Sequence, residues 1–139
     1  MLLACTHNPH VAPEPPLKRS DRRLLAYHAL SDRWSAFNAH DADQVSAWYA
    51  EDVEVLDSAT GETVVRGREH VRARFAAFFR EHPEVAIDAD KRVYEEGGRF
   101  VRDREIVTGC GDVALQSWVK YEFAPVGRRI TRVWVSRFP

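Results

Sequence analysis

At 139 residues, with 45% hydrophobic and 29% charged side chains, the chain has ordinary globular composition and the length of one domain. Its net charge of −1 gives no support for nucleic acid or an anionic membrane as a partner. No apolar run reaches transmembrane length, and the two cysteines, Cys5 and Cys110, have no zinc-type spacing and predict no disulfide framework.

Residues 1–19 hold four of the seven prolines, Pro9, Pro13, Pro15 and Pro16, without hydrophobic periodicity. Proline fixes φ and removes a backbone donor, so this stretch is expected to be a disordered or extended tail, with the folded domain over 20–139. Leu2-Leu3-Ala4-Cys5 resembles the end of a bacterial lipoprotein signal but lacks the charged and long apolar regions of one. A cytoplasmic location is expected.

A first helix is predicted from Ser20, a good N-cap with Asp21 in the first turn. Leu24, Tyr27, Leu30, Trp34 and Phe37 recur at helical spacing and form its apolar stripe. Asp41 and Gln44 fit a capping box for a short second helix, with Val45, Trp48 and Tyr49 on its buried side and His40 as a solvated corner residue. Val53, Val55 and Asp57 alternate with polar neighbours as a strand does, 58–62 is a turn, and Thr63 to Arg66 a short return strand. Gly67 leads into a third helix over 68–81, with Val71, Phe75, Phe78 and Phe79 as its stripe and Pro83 as its stop. The period then changes to two. Strands are predicted over 85–95, 99–109, 114–123 and 129–138, separated by Gly97-Gly98, 109–112 and 125–127. This order predicts an α+β fold with helices on one face of a bent antiparallel sheet.

Three motifs occur in sequence: Phe37-Asn38-Ala39-His40-Asp41, Trp48-Tyr49-Ala50-Glu51-Asp52-Val53 and Val65-Arg66-Gly67-Arg68-Glu69. With them the chain resembles the nuclear transport factor 2-like superfamily over about residues 24–138. That group includes ketosteroid isomerases, scytalone dehydratase, limonene epoxide hydrolase and the SnoaL-like polyketide cyclases. The resemblance implies a cystatin-like α+β barrel, a cone in which a curved sheet wraps the three N-terminal helices around an apolar pocket. It also implies a homodimer through the outer sheet face, where Trp118 and Trp134 would lie. The fold carries many activities and several non-enzymes, so function must be argued from the site.

By the resemblance, Asp57 falls where ketosteroid isomerases hold their base, and burial in the cone would raise its pKa toward working pH. Read from the residues alone, Asp57 equally caps the 58–61 turn. The isomerases' oxyanion tyrosine falls at Arg33 and their second acid at about Val119. Arg33 is a different kind of donor and Val119 is none; Tyr121, on the face of Val119, is either a replacement donor or plain core. By the resemblance to limonene epoxide hydrolase, epoxide hydrolysis implies an arginine between two aspartates, with the arginine and one acid two positions apart on one strand. Arg102-Asp103-Arg104-Glu105 instead spaces Arg with Arg and Asp with Glu. Period two turns one of those pairs inward, and counting from Gly97-Gly98 favours Val101, Asp103, Glu105 and Val107. The alternative is a solvated ladder of cross-strand ion pairs.

Trp34, Tyr49, Phe75, Ser117, Val133 and Val135 complete the expected pocket. No metal and no cofactor are expected, since HExxH, paired-histidine, GxGxxG, P-loop and GxSxG patterns are absent. The functional expectation is a small-molecule enzyme using acid–base catalysis, as an isomerase, cyclase or dehydratase, on a hydrophobic carbonyl-bearing substrate. The alternative is a non-catalytic ligand-binding or dimerisation module of the same fold.

Overall fold

The computed structural model describes residues 18–126 and 129–138. The expected tail up to residue 17, Cys5 and the turn glycine Gly127 lie outside the described residues. The elements are α1 (Arg19–Asn38), α2 (Ala42–Ser46), β1 (Tyr49–Asp57), β2 (Thr63–Arg66), α3 (Arg68–Glu81), β3 (Ala86–Glu95), β4 (Phe100–Thr108), β5 (Leu115–Phe123) and β6 (Ile130–Val135). They form an α+β cone: one curved, open six-stranded sheet in the order β2-β1-β6-β5-β4-β3, with the helices against its concave face. The sheet is antiparallel except between β1 and β6, which pair in parallel because the last strand returns beside the first. No helix among the described residues is long and apolar enough to cross a membrane.

The buried face of α1 differs from the expected stripe. Ala26, Ala29, Leu30, Arg33, Ala36 and Phe37 are buried, while Leu24 and Tyr27 are more than half exposed. Three alanines let the helix sit close on the sheet, and a count of large apolar side chains passes over them. The helix also starts two residues early, with Lys18 rather than Ser20 at the cap and Ser20 inside the first turn.

The end of α1 is tied to the start of β3. Asn38 donates from Nδ2 to the Ile87 carbonyl at 3.0 Å and accepts from the Ile87 N–H at 2.7 Å, as a neighbouring strand would. His40, expected to be solvated, instead stacks on Phe79 at 4.8 Å between centroids and donates to the Val85 carbonyl at 2.7 Å. Asp41 caps α2 by accepting from the Gln44 N–H at 3.1 Å. Gly67, at φ 94°, opens α3 and donates its N–H to the Val53 carbonyl at 2.8 Å, a conformation glycine takes without steric cost. Val71, Phe75 and Phe79 of α3 are buried, and Phe75 and Phe79 meet Phe37 edge to face, so aromatic edges close the space between the two long helices.

Strand register decides what faces the cone. Across β4 and β5, Val101 pairs with Tyr121, Asp103 with Val119 and Glu105 with Ser117. Across β5 and β6, Tyr121 pairs with Val133 and Lys120 with Trp134. Val101, Asp103, Glu105, Val119, Tyr121, Val133 and Val135 are buried on the inner face. Arg102, Trp118, Lys120 and Trp134 alternate with them on the outer face.

Candidate active site

A cavity of about 550 Å³ lies between α1, α3 and the inner faces of β4, β5 and β6. Arg33, Tyr49 and Glu105 form its deep end; Phe37, Phe75, Val119, Val133 and Val135 are apolar walls; Cys110, Gln116, Ser117, Arg137 and Phe138 stand nearer the mouth. A wider groove of about 840 Å³ between α1 and α2, beside Asp32, Trp48 and Arg129, holds no buried titratable group.

Arg33 reaches the cavity because it lies on the alanine-rich face of α1. It is 5% exposed. Its Nε donates to the Tyr49 hydroxyl at 2.9 Å. Its Nη1 lies 3.8 Å from Glu105 Oε2, beyond hydrogen-bond distance, and has no hydrogen-bond partner. The guanidinium stands over the rings of Tyr121 and Phe75, 5.4 and 5.7 Å from their centroids. Burial opposes its charge, but the Tyr121 and Tyr49 oxygens and Glu105 outweigh that penalty and hold its pKa above the ordinary value.

Glu105, 5% exposed, accepts at Oε2 from the Tyr121 hydroxyl. Burial pushes its carboxyl up, Arg33 and the Tyr121 hydrogen bond pull it down, and the net displacement is upward. Burial also pushes the Tyr121 phenol well up, so it stays protonated as a donor. The deep end therefore places a carboxyl poised toward protonation beside a permanent cation, with a phenol fixing its orientation. Such a pair can move a proton and stabilise a developing oxyanion.

Asp103 shares the inner face with Glu105 but does not line the cavity. It is 0% exposed and fully matched by Arg92 on β3, with Nε to Oδ1 at 2.7 Å and Nη2 to Oδ2 at 3.0 Å. A register shift between Ala89 and Lys91 brings Arg92 opposite Asp103. Trp34 also stands off the cavity, its ring 4.5 Å from the Arg92 guanidinium carbon. On the outer face, Arg104 pairs with Asp90 and Arg102 with Glu95. Both readings of the 102–105 run thus occur, one on each face of β4: carboxylates inward, an arginine ion-pair ladder outward.

Asp57 is not brought to this group. At the end of β1 its Oδ1 accepts from the N–H groups of Ala59 at 2.8 Å and Thr60 at 2.9 Å, which is the turn-capping role. The same hydrogen bonds, Thr60 first, draw its pKa below the ordinary carboxylate value. Val53 and Val55 do point into the core, but the strand ends at Asp57 and its carboxylate serves its own turn. The cavity residues Phe37, Cys110 and Gln116 and the partner Arg92 carried no site signal in the sequence, whereas Arg137 shares the face of Val133 and Val135 in the predicted last strand. Tyr49 was expected on α2 and in fact begins β1. Among the described residues no group of three or more His, Cys, Asp or Glu is placed to hold a metal ion.

Residues 31–138 match the family model described as the SnoaL-like domain. Among solved structures, an uncharacterised cystatin-fold protein from Novosphingobium aromaticivorans superposes with a TM-score of 0.70 at 22% identity, over 81% of this chain and 97% of that one. A protein described as a candidate ketosteroid isomerase from Kribbella flavida gives 0.63 at 20% identity, over 81% and 77%. One described as a candidate polyketide cyclase from Xanthomonas campestris gives 0.57 at 23%, over 82% and 90%. At these identities the likeness establishes the fold alone. No curated protein matches the chain. The helix–hairpin–helix–meander order, the cone and a family match over most of the chain converge: the protein belongs to the SnoaL-like domain family.

Proposed function

We propose that this protein is a small-molecule enzyme that moves a proton on a hydrophobic, carbonyl-bearing substrate, acting as an isomerase, cyclase or dehydratase. Glu105 is the proton-transferring carboxyl and Arg33 the donor to the oxygen that gains charge. The observation that carries this reading is the buried Glu105 carboxyl, raised in pKa, 3.8 Å from a guanidinium nitrogen with no hydrogen-bond partner, at the end of an apolar cavity. A carboxyl tuned upward accepts and returns protons closer to neutral pH, and a preorganised cation in a water-poor site stabilises an enolate more than the same cation in water. The family setting, with relatives described as candidate isomerases and cyclases, supports the same class.

Hydrogen–deuterium exchange at the α-carbon of 2-tetralone in D₂O tests proton abstraction without knowledge of the natural substrate. The protein should accelerate exchange over buffer, and Glu105→Gln should lower that acceleration by roughly 100-fold. Asp57→Asn, which alters a turn outside the cavity, should leave it unchanged. Equal exchange by the wild type and Glu105→Gln, or a loss confined to Asp57→Asn, would remove Glu105 from the reaction.

A further inference from the structure

The polar groups lining the cavity fall into two sets. At the deep end they are spent on one another. Arg33 donates from Nε to the Tyr49 hydroxyl at 2.9 Å and pairs with Glu105, which also accepts from the Tyr121 hydroxyl. At the mouth they are not. Gln116, Ser117 and Arg137 line the opening, and none of their side chains has a hydrogen bond or ion pair among the described residues. Gln116 and Arg137 are exposed and Ser117 is half-buried, so all three can be reached by a molecule in the cavity. The strands account for two of them. Ser117 stands opposite Glu105 across β4 and β5, on the inner face it shares with Val119 and Tyr121. Arg137 follows Val133 and Val135 at the same spacing of two, just past the end of β6.

A ligand that fills the cavity strips water from these groups as it seats. A hydroxyl, an amide and a guanidinium can all donate, and only the guanidinium is charged. A wholly apolar ligand would desolvate them and give nothing back. Beside them the described rim offers Cys110, Leu115 and Phe138 and no carboxylate. We infer that the cavity takes an amphipathic small molecule with a carboxylate at one end, held at the mouth by Arg137 with Ser117 and Gln116 as neutral donors, and an apolar body against the Phe and Val walls. The planar guanidinium fork matches a carboxylate, and one unpaired cation matches one unit of negative charge. This rests on the proposed function in using the same cavity, and it adds the part of the substrate remote from the proton transfer. It also fixes which end enters first. An ionised carboxylate pays heavily to pass between apolar walls, so it stays at the wet mouth and the opposite end of the molecule reaches Glu105. Arg137 is therefore a positioning residue that touches the substrate's far end and not its reacting carbon.

Titration calorimetry at pH 7 with 4-(2-naphthyl)butanoate and its neutral amide tests the inference. The carboxylate should bind at least about fivefold more tightly, the upper range of a water-accessible ion pair. Added salt should erode the difference, since the pair is open to solvent. Arg137→Gln removes an exposed, unpaired side chain and leaves the core intact. It should bring the carboxylate down to the affinity of the amide while the amide binds as before, a discrimination that a merely structural role would not move. Arg80→Gln, which removes an exposed cation at the end of α3 away from the cavity lining, should keep the preference. Equal affinities in the wild type, a preference that survives Arg137→Gln, or one lost equally through Arg80→Gln would overturn the inference. Carboxylate preference without tetralone exchange sinks the catalytic reading alone; exchange without the preference sinks this one alone.

Discussion

Replacing Arg92 by methionine keeps much of the side chain's length and removes its charge. Asp103, 0% exposed, would then be a buried carboxylate without its two hydrogen bonds at 2.7 and 3.0 Å. Breaking a buried ion pair from one side costs about 3–5 kcal/mol, because the abandoned charge stays desolvated. The Arg92 side chain is 13% exposed, so water reaches the pair at its rim and the lower end, about 3 kcal/mol, applies. Loss of the guanidinium over Trp34, at 4.5 Å, adds about 0.5–1 kcal/mol. With an m value of about 2 kcal/mol/M, the urea midpoint at pH 7 should fall by nearly ~2 M. The double variant Arg92→Met/Asp103→Leu replaces both charges by apolar groups and should recover most of the loss, giving a coupling of at least about 2 kcal/mol in a double-mutant cycle. A single-variant cost under about 1 kcal/mol, the scale of a surface pair, would refute the reasoning, as would costs that simply add.

Three further outcomes follow from the same geometry. The Glu105 carboxyl is raised above its ordinary value of 4.5, so the folded protein holds a proton that the unfolded chain releases. Stability should therefore fall as pH rises from about 4.5 through the folded-state value, and Glu105→Gln should flatten that decline; parallel urea-midpoint curves for the two proteins would contradict it. Glu54, Asp57, Glu69 and Asp90 are all lowered, so whatever they contribute disappears only as pH falls below their ordinary values, outside that window. On the outer sheet face, Trp118 is 43% exposed beside the half-buried Trp134, and Lys120 and Arg102 lie over their neighbouring rings. We propose that this face forms a homodimer: light scattering at micromolar concentration should give twice the chain mass, and Trp118→Lys should give the monomer.

The fold was legible because its determinants are periodic or local. The third helix, the Asp41–Gln44 cap, the 63–66 return strand and the inward set Val101, Asp103, Glu105 and Val107 each follow from spacing or from a turn that fixes register. The first helix misled because its buried face is built from alanines, which carry little hydrophobic signal yet allow the closest approach to the sheet. The site was half legible. Arg33, Tyr49, Phe75, Glu105, Ser117, Val119, Val133 and Val135 do line one cavity, whereas Asp57, Trp34, Asp103 and Tyr121 do not. Family position put Asp57 at the right strand end, but a carboxylate next to two free turn N–H groups gains more from those hydrogen bonds than from a desolvated pocket. Arg92 could not be found from sequence, because its inward reach depends on a shift in the β3–β4 register.

The contrast between Asp103 and Glu105 is why the proposed chemistry is assigned to one acid and not the other. They sit two residues apart on one strand face, and both are buried. What separates them is the partner. Arg92 grips both oxygens of Asp103 in a bidentate pair, which satisfies its charge and leaves no free lone pair directed at the cavity. Arg33 approaches Glu105 only to 3.8 Å and commits its Nε to Tyr49 instead. Glu105 is therefore left under-compensated, held in place by a phenol that remains protonated, and open to a ligand. Two like groups with diverging environments are how one fold assigns a structural anion and a working acid. It follows that moving an arginine fork onto Glu105, or releasing Asp103 from its own, should alter proton transfer without any change to the cavity walls.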